Sequence, residues 1–344
     1  MRRMLRILAA PRSQDSNPYC GMLYDEIEQQ GSAVHEYRVG RLLSGSYDIW
    51  HLHWPEGFFQ GGSAAQAAGR VVVFFVLLLW AWISGTRVVW TMHNLEAHEN
   101  KHPVVEDLFW QVFPALVHAT ISLSEQATHV AFAKMPSLRR KPSAIIPHGH
   151  YRPVYPRTMT PAEAREELGL APSHHVGLYF GVIREYKEVP SLLRSFRDVP
   201  GEARRLVVVG NPRTSELRDQ VQEAVAQDPR ATAVLEFVPS EAVQRYFLAA
   251  DLVVVPQREF LNSGSALLGL SFDRPVLAAR QGSMIDVQEH VGTEWVRLFD
   301  GELTTQDVDE ALEWADRPRP EKAPLDDLSW TNIARRTRRF FQRL

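Results

Sequence analysis

The first half of the chain carries histidines, amides and carboxylates in five short polar clusters. They are Ser16-Asn17-Pro18-Tyr19; His51, His53, Trp54 and Glu56; Thr91, His93, Asn94, Glu96, His98 and Glu99; Ser122, Ser124 and Glu125; and His148, Gly149, His150 and Tyr151. A carboxylate or imidazole within hydrogen-bond reach of a hydroxyl can take its proton. Glu96, Glu56 and His93 are the candidate bases in that order, with Glu125 fourth. One such histidine is more often a structural hydrogen-bonder than a catalyst, but clusters recurring at equivalent places argue for a shared site. A metal reading fails on pattern. His93 and His98 bracket Glu96, yet the His-Glu-x-x-His order is absent and the segment follows a strand, not an amphipathic helix.

The second half carries a different set. Asn262 and Ser263-Gly264-Ser265 open an apolar helix after a polar loop that starts at Gln257. Such an entry leaves backbone N–H groups unpaired, and Gly264 has no side chain to hold an anion away, so a nucleotide diphosphate suits it. An ordinary serine cap on a buried helix is the competing reading. Gly181 permits a close turn, and Arg184 and Lys187 follow. A guanidinium fork beside an ammonium suits a diphosphate whose charge grows as its leaving bond breaks. The competing reading is solvated surface charge.

Both sets need a framework that brings distant loops together. Strands are predicted at 5–9, 35–39, 48–53, 87–93, 119–123 and 144–147, then at 176–180, 205–209, 234–237, 252–255 and from 276. Helical patterns lie between most of them, at 161–168, from 191 and at 241–249 among others, which predicts parallel, doubly wound sheets. Ligands of such sheets lie beyond the carboxyl ends of the strands, where the polar clusters fall. A proline-bearing link near 151–160 separates two α/β halves. A last helix follows Ser329, with Trp330 as an anchor and Arg335, Arg336, Arg338, Arg339 and Arg343 along it. That basic run is either a solvated face or a contact for anionic lipid.

The stretch 252–278 resembles the donor half of GT-B glycosyltransferases that use nucleotide sugars. Asn262–Ser265 followed by Arg274-Pro275-Val276 is similar to bacterial exopolysaccharide enzymes of the xanthan-type β-1,4-mannosyltransferase kind. The resemblance implies two Rossmann-like domains facing a cleft: an acceptor domain at 1–155, a donor domain at 156–327, and a C-terminal helix at 328–344 crossing back to the first. It implies a hexose, mannose favoured, moved from a nucleotide diphosphate sugar to a glycan or glycolipid hydroxyl, with no resident cofactor and no metal. Donor contacts would be Gly181, Arg184, Lys187, Asn211, Val238, Asn262, Ser263, Gly264, Ser265 and Asp286, with Glu289 as a fallback for Asp286. Acceptor contacts would be Asn17, His53, Asn94 and His148. Retaining members carry two glutamates across the central loop and helix, but the corresponding positions hold Phe260 and Leu268, and Glu259 stands one step off. Inversion is therefore the expectation. A retaining hexosyltransferase using a UDP-sugar and a non-catalytic nucleotide-sugar-binding protein remain open.

Composition sets outer limits. The 344 residues suit two domains, a 45% apolar fraction allows a core in each, and a net charge of −3 gives no case for nucleic-acid binding. One cysteine, Cys20, excludes a disulfide framework and fits a reducing, cytoplasmic setting. The apolar run 71–83 has 13 residues, too few to span a bilayer. It is either a buried helix or one presenting Phe74, Phe75, Trp80 and Trp82 to the inner face of the plasma membrane.

Overall fold

Short β-branched runs alternate with helices throughout the computed structural model, which describes residues 4–14, 17–95, 102–257 and 263–344. The chain divides into two compact units, Met1–Gly149 with Asp327–Leu344, and His150–Asp326.

Unit 1 contains β1 (Arg6–Ala10), α1 (Tyr19–Gln29), β2 (Ala33–Glu36), α2 (Val39–Leu43), β3 (Ile49–Leu52), α3 (Ala64–Ile83), β4 (Arg87–Thr91), α4 (Pro103–Leu116), β5 (Ala119–Ser122), α5 (Glu125–Lys134) and β6 (Ser143–Ile145). Unit 2 follows with α6 (Pro161–Glu167), β7 (His175–Phe180), α7 (Val189–Arg197), β8 (Arg204–Val209), α8 (Ser215–Ala226), β9 (Ala231–Val234), α9 (Ser240–Ala249), β10 (Leu252–Val255), α10 (Gly264–Ser271), β11 (Val276–Ala279), α11 (Ser283–Val291), β12 (Val296–Phe299) and α12 (Thr305–Ala315). A last helix, α13 (Trp330–Phe341), belongs to unit 1.

Each unit holds a six-stranded sheet, in the orders β2-β1-β3-β4-β5-β6 and β12-β11-β10-β7-β8-β9, and every pairing is parallel. The strand order reverses between β1 and β3 in the first sheet and between β7 and β10 in the second. Crevices for ligands open at such points. β3 and β10 are buried along their whole length, as central parallel strands covered on both faces must be.

Three expectations need correction. The strand expected at 35–39 is β2 at Ala33–Glu36, because Val39 already begins α2. The strand expected at 234–237 is β9 at Ala231–Val234, which pairs with β8 and leaves Phe237 73% exposed. The apolar run 71–83 is only the second part of α3. A capping box between Ser63 and Gln66 starts that helix earlier, giving 20 residues, long and apolar enough by length and composition to cross a membrane. One third of its most apolar window is buried.

α13 docks on α1 through Trp330, whose ring lies 5.3 Å from that of Tyr19. Gly149 is required there, since a Cβ at that position would come 2.6 Å from the Trp330 ring. Of the helix's arginines, Arg336 donates to the Ile145 carbonyl at 2.7 Å and Arg338 to Ser32 Oγ at 3.1 Å. At least these two serve the packing of unit 1.

Candidate active site

In unit 1 the loops after β1, β3 and β4 converge on a cluster of imidazoles. The side chains of His51 and His53 are buried at the end of β3, and Thr91 closes β4 with His93 just beyond it. The phenol of Tyr24, fully buried on α1, lies 2.7 Å from His51 Nδ1 and 2.7 Å from His53 Nε2. His51 Nε2 is 2.7 Å from Thr91 Oγ1, and His53 Nδ1 is 2.9 Å from His93 Nε2. Trp54 stacks on His93 at 4.5 Å, and Tyr19 meets the same ring edge-on at 4.8 Å. His148 lies 4.7 Å from Tyr19, its Nδ1 donating to the Gly149 carbonyl at 2.6 Å.

Burial dominates the electrostatics. It pushes His51 down to about 3 and His148 to about 4, and holds His53 and His93 well below the usual imidazole range; neighbouring rings add to the effect on His51, His53 and His93. These rings are neutral at pH 7. Burial has the opposite sign for a carboxyl and pushes Glu56 up to about 7; the Glu106 charge adds to this, and a hydrogen bond with Asn94 works against it. A base with that affinity is half-ionised near neutral pH. Glu106, with Leu95, Trp110 and Lys134, lines a cavity of about 580 Å³.

The site in unit 2 is made from backbone. Gly181 ends β7 with φ +143°, in the half of conformational space that L side chains avoid. A Cβ on Gly181 would meet Ser265 Oγ at 3.2 Å, so the β7 loop and the start of α10 adjoin. Gly210 is fixed more tightly, because a Cβ there would lie 1.8 Å from the Gly181 carbonyl oxygen. Ile183 N donates to Asn211 O at 3.1 Å and Arg213 N to Ile183 O at 2.9 Å, zipping the two loops together. Ser263 caps α10, accepting from Ala266 N at 3.3 Å, while Gly264 and Ser265 remain accessible. Burial, then the charge of Arg184, lowers Lys187 to about 8. Neither Arg184 nor Lys187 has an acidic partner among the described residues; Lys187 rests 5.2 Å from the Tyr186 ring.

The remaining candidates are placed as follows. Asn17 accepts from Tyr19 N at 3.0 Å, ahead of α1. Glu125 opens α5 as an exposed side chain 3.9 Å from His129 Nε2. Asn211 lies in the zipped loop, Val238 is half-buried before α9, and Asp286 and Glu289 are on α11. Glu96, His98, Glu99, Glu259, Phe260, Asn262 and Ser16 lie outside the described residues. Among the described residues no group of three or more His, Cys, Asp or Glu could hold a metal ion. The one Asp-x-Asp of the sequence, Asp307-Val308-Asp309, is engaged in structure: Asp307 caps α12 with Thr304 and Asp309 meets Arg204 at 3.2 Å. Burial pushes the Cys20 thiol up, which makes it a poor nucleophile.

A family described as glycosyl transferases group 1 matches residues 174–313. Over 95% of its length the chain is 33% identical to a GDP-mannose:glycolipid 4-β-D-mannosyltransferase of Xanthomonas campestris pv. campestris, covering 91% of that protein. The chain is a group 1 glycosyltransferase. The fold of this glycosyltransferase is also that of sucrose-phosphate synthase from Thermosynechococcus elongatus, at 16% identity and a TM-score of 0.64 over 99% of this chain and 95% of that one. The same holds for Anabaena HepE in complex with UDP and glucose, at 14% identity and a TM-score of 0.64 over 98% and 96%. The two sheets thus have the GT-B architecture, and the glycosyltransferase uses a nucleotide sugar.

Sequence reasoning names His51 and Thr91 only as members of their clusters, with no role of their own, and does not single out Tyr24 as a site residue of the glycosyltransferase. Tyr24 repeats with Tyr19, Cys20, Leu23 and Ile27 on the buried face of α1 and reads as core. Its signal was the phenol on that face opposite two histidines spaced to share one side of a strand, His51 and His53.

Proposed function

We propose that the protein transfers mannose from GDP-mannose to a hydroxyl of a lipid-linked glycan, with inversion at the anomeric carbon and no metal at the diphosphate. The observation that supports it most is the 33% identity over 95% of the chain to a GDP-mannose:glycolipid 4-β-D-mannosyltransferase. GDP-mannose carries an α linkage, so a β product requires inversion by a single displacement.

The donor is assigned to unit 2. The accessible amides at the start of α10 and the unneutralised pair Arg184 and Lys187 suit a diphosphate, and the positive charge they supply serves the metal's usual purpose as the leaving bond breaks. The acceptor is assigned to unit 1, where the cavity lined by Glu106 and Trp110 takes part of the glycan. Glu56 is our choice of base among the described residues. Its carboxylate takes the proton of the attacking hydroxyl, and its affinity near 7 makes it stronger in that role than an ordinary glutamate. His93 does not suit that role, since burial disfavours its protonated form.

We assign the protein to the surface of a membrane. Val72, Val76, Leu79 and Ile83 on α3, with Val104 and Leu108 on α4, form an exposed apolar face, each at least 57% accessible. Of the aromatic residues expected on such a face, Phe74 is buried, while Trp80 and Trp82 are 38% and 47% exposed, each donating its indole N–H to a carbonyl, of Leu42 and Leu116. The opposite face of α3, with Val71, Phe74 and Leu78, packs into unit 1, which favours lying on a bilayer over crossing it.

The test is to incubate the protein with GDP-mannose and a lipid-linked glycan fraction in chelator, then determine the anomeric configuration of the new mannoside by NMR. A β-mannoside formed without metal is the expected product. An α-mannoside, or transfer only from a UDP-sugar, would replace this reading with the retaining one. GDP binding without acceptor-dependent turnover would support a binding protein.

A further inference from the structure

The contacts among Thr91, His51, Tyr24, His53 and His93 determine where their protons sit. Tyr24 has one phenolic proton and two imidazole partners at 2.7 Å. If both rings donated to it, its own proton would be buried without an acceptor, because the described residues offer no third partner. Tyr24 therefore accepts from one ring and donates to the other. A neutral imidazole donates from one nitrogen and accepts at the other. The links must then all run in one direction, and the three rings share a tautomer: all carry the proton on Nδ1, or all on Nε2.

Thr91 decides between the two. Its side chain is 1% exposed, and among the described residues its hydroxyl meets only His51 Nε2. If His51 donated to Thr91, the threonine proton would have no acceptor in a buried site, an unfavourable arrangement. Thr91 therefore donates to His51 Nε2, His51 Nδ1–H to Tyr24, the Tyr24 hydroxyl to His53 Nε2, and His53 Nδ1–H to His93 Nε2. His93 is left with its proton on Nδ1.

We propose that Thr91, His51, Tyr24 and His53 form a one-way hydrogen-bond relay that fixes His93 as a neutral, Nδ1-protonated group, and that His93 in this form is a positioning residue for the acceptor sugar. The second half of this inference rests on the assignment of the acceptor to unit 1; the first does not. Burial of the rings, complete for His51 and His53 and partial for His93, supports the relay, because a neutral imidazole is the form a dry site favours. Trp54 and Tyr19, packed on two sides of the His93 ring, hold its plane.

The experiment uses the full-length protein labelled with ¹⁵N in its histidines. Long-range ¹H–¹⁵N spectra at pH 7 should show His51, His53 and His93 neutral with the proton on Nδ1. Thr91→Val keeps the shape of the side chain but removes the donor, so it should release His51 from that tautomer. With GDP-mannose as donor it should raise the acceptor KM by about 10-fold, the worth of one hydrogen bond, and leave the donor KM unchanged. Thr91→Ser keeps the donor and loses a methyl group, and it should retain both the spectra and the acceptor KM. A purely structural role for Thr91 predicts the reverse order, with serine worse than valine. A wild-type ring protonated on Nε2, or charged, would overturn the relay, and equal losses in the two variants would overturn the positioning role. If no variant and no wild-type sample transfers mannose, the proposed activity fails, while the spectra still decide the relay.

Discussion

The two sheets place polar sites at their reversal points from opposite materials. In unit 1 the site is made of side chains: three histidines, a tyrosine and a threonine, hydrogen-bonded to one another and largely withdrawn from water. In unit 2 it is made of backbone, with Gly181 and Gly210 letting two loops close and cations standing at the mouth. The difference fits the ligands proposed for each. A diphosphate needs unpaired N–H groups and fixed positive charge, which bare backbone and an Arg–Lys pair supply. A neutral sugar needs directed donors and acceptors, which imidazoles supply only while they stay uncharged.

The comparison can be broken most severely with acid. The buried histidines of unit 1 have folded-state affinities below the unfolded value, so the unfolded chain binds protons more readily. Their contribution is present above about pH 6.5 and lost as pH falls, at ~1.4 kcal/mol per pH unit for each ring and ~5.6 kcal/mol per pH unit for His51, His53, His93 and His148 together. Unit 1 should unfold between pH 6.5 and 5 while unit 2 holds, as two separated transitions followed by hydrogen exchange.

Glu56 works in the opposite sense. Its folded-state affinity is raised, so stability is lost as pH rises from about 4.5 through about 7. Glu56→Gln should lower kcat by roughly 10²–10⁴-fold. It should also make the protein more stable than wild type at pH 8, by up to roughly 3 kcal/mol. Loss of activity with equal loss of stability would assign Glu56 to structure alone.

In unit 2, Arg184→Ala with Lys187→Ala should reduce kcat by at least roughly 10²-fold with an unchanged melting temperature. Gly210→Ala should separate the two zipped loops, costing roughly 1–3 kcal/mol in chemical denaturation and weakening nucleotide binding. The smallest effect is expected on α3, where Val76→Lys should weaken binding to lipid vesicles several-fold and leave turnover on a soluble acceptor unchanged.

Much of the framework is legible in the sequence, for physical reasons. Runs such as Leu252–Val255 are buried on both faces, and the prolines and glycines that bound them act locally. β12 went unnoticed because Val296-Arg297-Leu298-Phe299 is short and carries an arginine, which pairs with Glu310 at the sheet edge. The polar strand ends are equally plain, because parallel sheets gather them. What the strand ends do to one another is not plain. The proton affinities of His51 and Glu56 move in opposite senses chiefly through burial, and burial is a property of the folded unit. Tyr24 and Thr91 sit at core positions of a helix and a strand, so only coordinates distinguish them from packing. α3 shows the reverse case: the Ser63–Gln66 box was present in the sequence, and the apolar run beside it drew attention to the wrong boundary.

The most direct test of this account is hydrogen exchange followed by mass spectrometry, with and without GDP in chelator. Protection is expected in peptides spanning 181–188 and 263–271 of unit 2, with none in peptides spanning 49–56 and 88–95 of unit 1. Protection confined to unit 1, or none in either, would contradict the assignment of the diphosphate to the backbone site and the division of labour between the two sheets.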